Sequence, residues 1–205
     1  GVIYLTFDDG PNEGTTNIIL DKLKEENIKA TFFVTNNGPD ELIKRAYDEG
    51  HTIALHTATH VYQQVYSSVD NYYKDLNSVS QRVKKITGEE SKIIRFPGGS
   101  SNTISKKYSK GLMTFLVKDV VAKGYHYFDW TIDSTDAMSK STTEDIYNNT
   151  VKYLVPNKVN VILMHDTKKT TMEAITNIIR YAKDNNYEFK RITYETPMVA
   201  HKVNN

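Results

Sequence analysis

The chain has 205 residues, enough for one sizeable domain with a buried core and short for two. Its 39% hydrophobic and 25% charged content is that of an ordinary soluble globule and excludes collagen-like, disordered and membrane-spanning classes. A net charge of +1, from 26 basic and 25 acidic residues, gives no general field for nucleic acid, and no basic patch replaces it.

Cysteine is absent, which excludes disulfides, thiolate catalysis and Cys-based zinc sites and leaves the compartment open. No targeting or transmembrane stretch precedes the first apolar run, so we expect a domain excised from a longer protein. Residues 2–6 read as a strand. Thr15 or Thr16 caps a helix to about residue 27, with Ile18, Ile19, Leu20 and Leu23 inward. A strand over 30–34, a helix over 41–49 stopped by Gly50, and a strand over 52–55 follow. Asp70 is expected to cap a helix running through Leu76, Val79, Val83 and Ile86 to Gly88. Next come a strand over 93–96 ending at Pro97, a helix over 108–123 stopped by Gly124, and a strand over 127–131. A helix over 142–154, a buried strand over 159–164, a helix over 170–185 and a short strand over 189–192 complete the chain. Apolar strand runs alternating with helices argue for a parallel sheet covered by helices. An open doubly wound sheet and a (β/α) barrel both fit, with about seven units, one short of an eight-fold barrel. No linker, repeat or low-complexity segment interrupts the single domain.

The ionisable groups are concentrated at strand ends. Asp8-Asp9, His56, Arg95, Asp133 with Asp136, and His165 each follow a predicted strand, the edge where ligands bind in α/β folds. Asp8-Asp9-Gly10-Pro11 has turn chemistry, but two adjacent carboxylates after a buried strand repel each other, and a cation relieves that repulsion. His56 and His60, at i and i+4, fall on one face of a helical turn, with Cβ atoms roughly 5–6 Å apart. Two imidazoles and a carboxylate suit zinc or another divalent ion. No Glu stands between them, so the set differs from HExxH, and a base must come from elsewhere. Arg95 can pair with a carboxylate, and Pro97-Gly98-Gly99 can turn a backbone N–H toward a developing oxyanion. Asp133 and Asp136 can cap the following helix. His165 is a good general acid if a carboxylate orients and charges it. His51, His126 and His201 read as structural or bystander residues.

Together these motifs resemble the polysaccharide deacetylases, the carbohydrate esterase family 4 or NodB-homology domain. Thr6-Phe7-Asp8-Asp9-Gly10-Pro11 is similar to its first motif, TFDDGP, and His56 to His60 to its second, H[ST]xxH. Arg95-Phe96-Pro97-Gly98-Gly99 is similar to the third, residues 133–137 to the fourth, and Leu163-Met164-His165 to the LxH of the fifth. The resemblance covers nearly the whole chain and implies a deformed, NodB-like (β/α) barrel. It implies Asp9, His56 and His60 as ligands of a divalent metal, zinc first, with cobalt, nickel or manganese as alternatives. Asp8 is then the base that deprotonates a metal-activated water, and Arg95 holds it. His165, tuned by Asp136, protonates the leaving amine; Gly98 and Leu163 belong to the substrate and oxyanion side. Two departures bear on the acetyl pocket: many members carry Tyr where Gly98 stands and Trp where Ala137 stands.

The Arg-Phe-Pro-Gly-Gly-Ser variant looks like a subgroup of Firmicute cell-wall enzymes. That implies N-deacetylation of GlcNAc or MurNAc in peptidoglycan by a single catalytic domain over residues 1–205, from a secreted or membrane-anchored protein at the cell surface. No nucleic acid and no membrane contact by the domain itself is expected. The alternatives are an O-acetyl esterase acting on xylan or a similar polymer, and a glycan-binding domain without catalysis.

Overall fold

The computed structural model describes residues 1–205. At its centre is β1 (Val2–Asp8), a run of apolar residues flanked by β7 (Val159–His165) on one side and β2 (Thr31–Val34) on the other. All pairings are parallel, and the strand order is β5-β4-β3-β2-β1-β7-β6, where β3 is Thr52–Leu55, β4 Ile93–Ile94, β5 His126–Tyr127 and β6 Ile132–Asp133. The sheet curls into a half-barrel of seven strands, the expected deformed (β/α) barrel. An eighth strand, β8 (Glu188–Phe189), pairs with the start of β1.

Alternation along β1 separates two cores. Ile3, Leu5 and Phe7 face outward into the large helix-covered core, whereas Tyr4 joins Phe33, Ala54, Ile93, Phe128 and Val161 inside the curl. The outer layer is built from amphipathic helices: α1 (Thr16–Glu25), α2 (Asp40–Asp48), α4 (Val69–Thr87), α5 (Leu112–Ala122), α6 (Thr143–Val151) and α7 (Lys169–Asp184), with a single turn, α3 (Tyr62–Val65), before α4. α4 buries Tyr72, Leu76, Val79 and Val83, spaced for one helical face, and ends at Gly88 in the left-handed region (φ 79°). No helix is long and apolar enough to cross a membrane.

Several boundaries differ from expectation, each for a local reason. Ser68, rather than Asp70, caps α4, its side chain accepting the Asn71 N–H. The expected helix over 108–123 starts late: a 3-10 turn, Ile104–Lys107, lies before it, and α5 begins only after Gly111 (φ 78°). The expected strand over 127–131 does not form: only Tyr127 lies in a strand, and the next strand is at the opposite sheet edge. β5 ends at Tyr127, β6 starts at Ile132, and the residues between them cross the open side of the barrel. The C-terminal segment covers this seam: Val199 O accepts the Asp129 N–H, and the His201 imidazole donates to Trp130 O at 2.7 Å. His201 is thus a clasp at the seam.

Candidate metal centre and active site

Because every strand runs in one direction, Asp8, His56, Arg95, Asp136 and His165 arrive at the same rim of the barrel, as their positions after strands imply. Asp8 and His165 are register partners on β1 and β7. Neighbours in a strand point to opposite faces, but Asp9 has left the strand with φ 80°, and both carboxylates reach the same imidazole. His56 Nε2 lies 3.6 Å from Asp8 Oδ2 and 3.5 Å from Asp9 Oδ1. His60 Nε2 lies 3.6 Å from the same Asp9 oxygen, and the two imidazole centroids are 4.8 Å apart.

The His56–His60 spacing does not form the helical turn expected of it. Thr57 (φ 66°) and His60 (φ 55°) lie in the left-handed region, and the segment is a loop. Asp75 on α4 shapes that loop: Oδ1 accepts the N–H of Ala58 and of Thr59, and Oδ2 accepts the Thr59 hydroxyl. Sequence reading missed Asp75, although a carboxylate between Tyr72 and Leu76 on an otherwise apolar face was the available signal.

Asp9, His56 and His60 each offer one ligand atom, all within 4.8 Å of one another. Their fit to a divalent ion follows from four observations. Asp9 Oδ1 is buried without a hydrogen-bond partner, between two imidazole nitrogens. Its separations from them match the roughly 3.4 Å between neighbouring ligands in a tetrahedral zinc site with bonds near 2.1 Å. His56 Nδ1 donates to Arg95 O at 2.8 Å, leaving Nε2 as the lone-pair nitrogen facing Asp9. Burial lowers the His56 pKa despite Asp8, favouring the neutral, ligating form.

Arg95 is buried inside the curl and organises the floor of the site. One terminal nitrogen donates to Thr6 Oγ1 (2.7 Å) and Asp8 Oδ1 (2.8 Å). The other donates to Asp129 O (3.0 Å), and Nε to Phe128 O (2.9 Å). The guanidinium also stacks 4.3 Å from the Phe33 centroid. Asp8 therefore has one oxygen tied down and the other facing His56.

Opposite, His165 Nδ1 donates to Asp136 Oδ1 at 2.7 Å, while its Nε2 lies 3.8 Å from Asp9 Oδ2. Asp136 is no helix cap. Its other oxygen accepts the His165 N–H and the Thr171 hydroxyl, each at 2.6 Å, whereas Asp133 accepts only the local Thr135 N–H and Thr142 caps α6. Burial depresses the His165 pKa, but the hydrogen bond and charge of Asp136, aided by Asp8 and Asp9, raise it to about 9. Next in sequence, Asp166 is buried beneath the Asp8-Asp9 turn. It accepts the Thr16 hydroxyl at 2.6 Å, and burial pushes its pKa up to about 7.

The 97–100 turn closes the rim. Gly98 (φ 76°) and Gly99 (φ 82°) are left-handed, and Asp129 holds the turn by accepting the Ser100 N–H (2.8 Å) and hydroxyl. Asp129 also accepts the His201 N–H. Leu163 is almost fully buried on β7. Ala137 and Met138, after Asp136, are exposed.

A family model for polysaccharide deacetylases matches residues 1–114, more than half of the chain. The chain belongs to that family. Like the peptidoglycan deacetylases it resembles, it is a hydrolase acting on carbon–nitrogen bonds other than peptide bonds. Similar proteins include a peptidoglycan-N-acetylglucosamine deacetylase of Bacillus cereus, 33% identical over 201 residues, with 92% of this chain and 68% of the relative covered. Another is the peptidoglycan-N-acetylmuramic acid deacetylase PdaA of Bacillus subtilis, 32% identical, with 93% and 69% covered. The chain spans about two thirds of the length of such curated relatives, from 65% to 69%. Among solved structures, the catalytic domain of a peptidoglycan N-acetylglucosamine deacetylase from Eubacterium rectale is 44% identical. Its TM-score is 0.96, covering all of this chain and 94% of that one. His165 and Asp136 lie beyond the family-model match but within this structural superposition.

Proposed function

We propose that this polysaccharide deacetylase removes N-acetyl groups from GlcNAc or MurNAc of peptidoglycan, with a divalent ion, zinc first, held by Asp9, His56 and His60. The observation that carries this reading is the orphaned Asp9 oxygen between two imidazoles, facing the Asp136-charged His165 across the same cleft. When bound, the ion supplies a Lewis-acidic centre that polarises the acetyl carbonyl and acidifies water. Asp8 takes the proton from the attacking water through the oxygen that Arg95 leaves free. As the carbon–nitrogen bond breaks, His165 delivers its Nε2 proton to the amine, and the products are acetate and a free amino sugar. The Gly98 N–H is the oxyanion donor on the protein side, with Leu163 on the acyl side.

Peptidoglycan is favoured over other glycans by the activities named for the similar bacterial proteins. In this proposal the chain acts at the cell wall, as a single catalytic domain over residues 1–205 of a longer secreted or membrane-anchored protein; the peptidoglycan activities named for the similar proteins support the cell-wall reading. The test is acetate release by the zinc-loaded protein from peptidoglycan, chitooligosaccharides and acetylated xylan. Release from peptidoglycan is expected, and release from xylan alone overturns the N-deacetylase reading. Failure to bind zinc would favour a glycan-binding role instead.

A further inference from the structure

At position 98 the 97–100 turn presents no side chain to the rim. A Cβ there would lie 3.1 Å from Asn102 Cβ, 3.4 Å from the Tyr62 hydroxyl oxygen and 3.8 Å from Tyr62 Cε1. The space is therefore bounded by Asn102 and by the hydroxyl end of Tyr62, which reaches in from α3. Its ring lies 5.4 Å from the His60 imidazole, centroid to centroid. It also stacks on Tyr66, 6.1 Å away and nearly parallel at 12°.

Tyr66 anchors this stack. It is fully buried, its hydroxyl donates to Pro97 O at 2.6 Å, and its other face stacks on Tyr72 of α4. The Tyr62 ring is thus fixed between the second histidine ligand and the Gly98 turn, the two elements that the proposed function assigns to the carbonyl oxygen. Unlike Tyr66, Tyr62 spends its hydroxyl on no partner within the chain. A half-buried, preoriented donor with no internal acceptor suits a ligand oxygen.

We propose that Tyr62 walls the acetyl pocket between His60 and Gly98 and donates a hydrogen bond to the acetyl carbonyl oxygen as charge develops on it. This assignment rests on the deacetylase reading above. The ring fills the pocket and sets how much room the acyl group has. The hydroxyl adds a third donor beside the ion and the Gly98 N–H.

The test compares zinc-loaded wild type with Tyr62→Phe and Tyr62→Ala. Losing one donor to a charged oxygen predicts a roughly 10- to 100-fold fall in kcat for Tyr62→Phe, with KM and zinc content near wild type. Tyr62→Ala removes the wall as well and raises KM. An unchanged kcat in Tyr62→Phe, or a rise in KM alone, overturns the donor role. Acetate binding to the zinc-loaded proteins, measured by calorimetry, separates this inference from the wider one. If wild type releases no acetate from any glycan, the proposed function fails. The Tyr62 assignment then stands on a roughly fivefold loss of acetate affinity in Tyr62→Phe and falls if the affinities are equal.

Discussion

Asp8 and Asp9 are chemically identical neighbours given different work by backbone geometry. Asp8 completes β1 and is pinned by Arg95, whereas Asp9, turned by its positive φ, meets both imidazoles. Asp8→Asn should therefore retain zinc and lose turnover by roughly 10²- to 10⁴-fold, the usual worth of a general base, while His56→Ala should lose the zinc. Metal analysis and acetate release on the two variants check this; full acetate release by Asp8→Asn would contradict it. His165 supplies a pH signature. Its raised pKa of about 9 keeps the imidazole protonated through neutrality, so activity should fall as pH rises through that value. In Asp136→Asn the charge and strongest hydrogen bond are gone and burial dominates, so the alkaline limb of the kcat profile should move down by at least about one pH unit. An unmoved limb would remove His165 from the acid role. The choice between Asp8 and Asp9 was not legible from local pattern, because both are carboxylates at one strand end; only the resemblance to a family separated them.

At the scale of elements, legibility followed length. β1, β7, α4 and α7 carry apolar runs long enough for a period to be read, and their existence matched expectation. β4, β5, β6 and β8 have two residues each, too few to show alternation, and their limits are set by partners distant in sequence. The histidine pair shows the same limit differently. Spacing brought His56 and His60 together, but the helix inferred from it is a loop stabilised by Asp75 from α4. That dependence is testable. Asp75→Asn keeps the shape and loses the charge that accepts two backbone N–H groups and the Thr59 hydroxyl, so zinc affinity should fall roughly 10- to 100-fold. Competition with a chromophoric chelator measures it, and wild-type affinity would show that the loop keeps its shape without Asp75.

Over the whole molecule, the guanidinium of Arg95 ties β1, the 94–97 segment and the chain crossing the open barrel into one unit. Arg95→Met leaves the buried Asp8 carboxylate without its partner, which should cost about 3–5 kcal/mol. For a chain of this size that corresponds to a Tm lower by roughly 6–20 °C, and Asp8→Asn in the same background should recover part of the loss. A thermal melt within about 2 °C of wild type would show that the ion pair is not structural.

The site thus divides into a floor and a rim with different freedom to vary. Asp8, Thr6 and Arg95 belong to the barrel interior, so a change there is judged first by whether the protein folds. Tyr62, Gly98 and Met138 sit on a one-turn helix and on loops outside the barrel interior, where Met138 is exposed and Gly98 is constrained by its own left-handed turn more than by the barrel. Diversification toward new acylated sugars, in natural lineages or directed libraries, should accumulate at the rim while the floor is inherited intact.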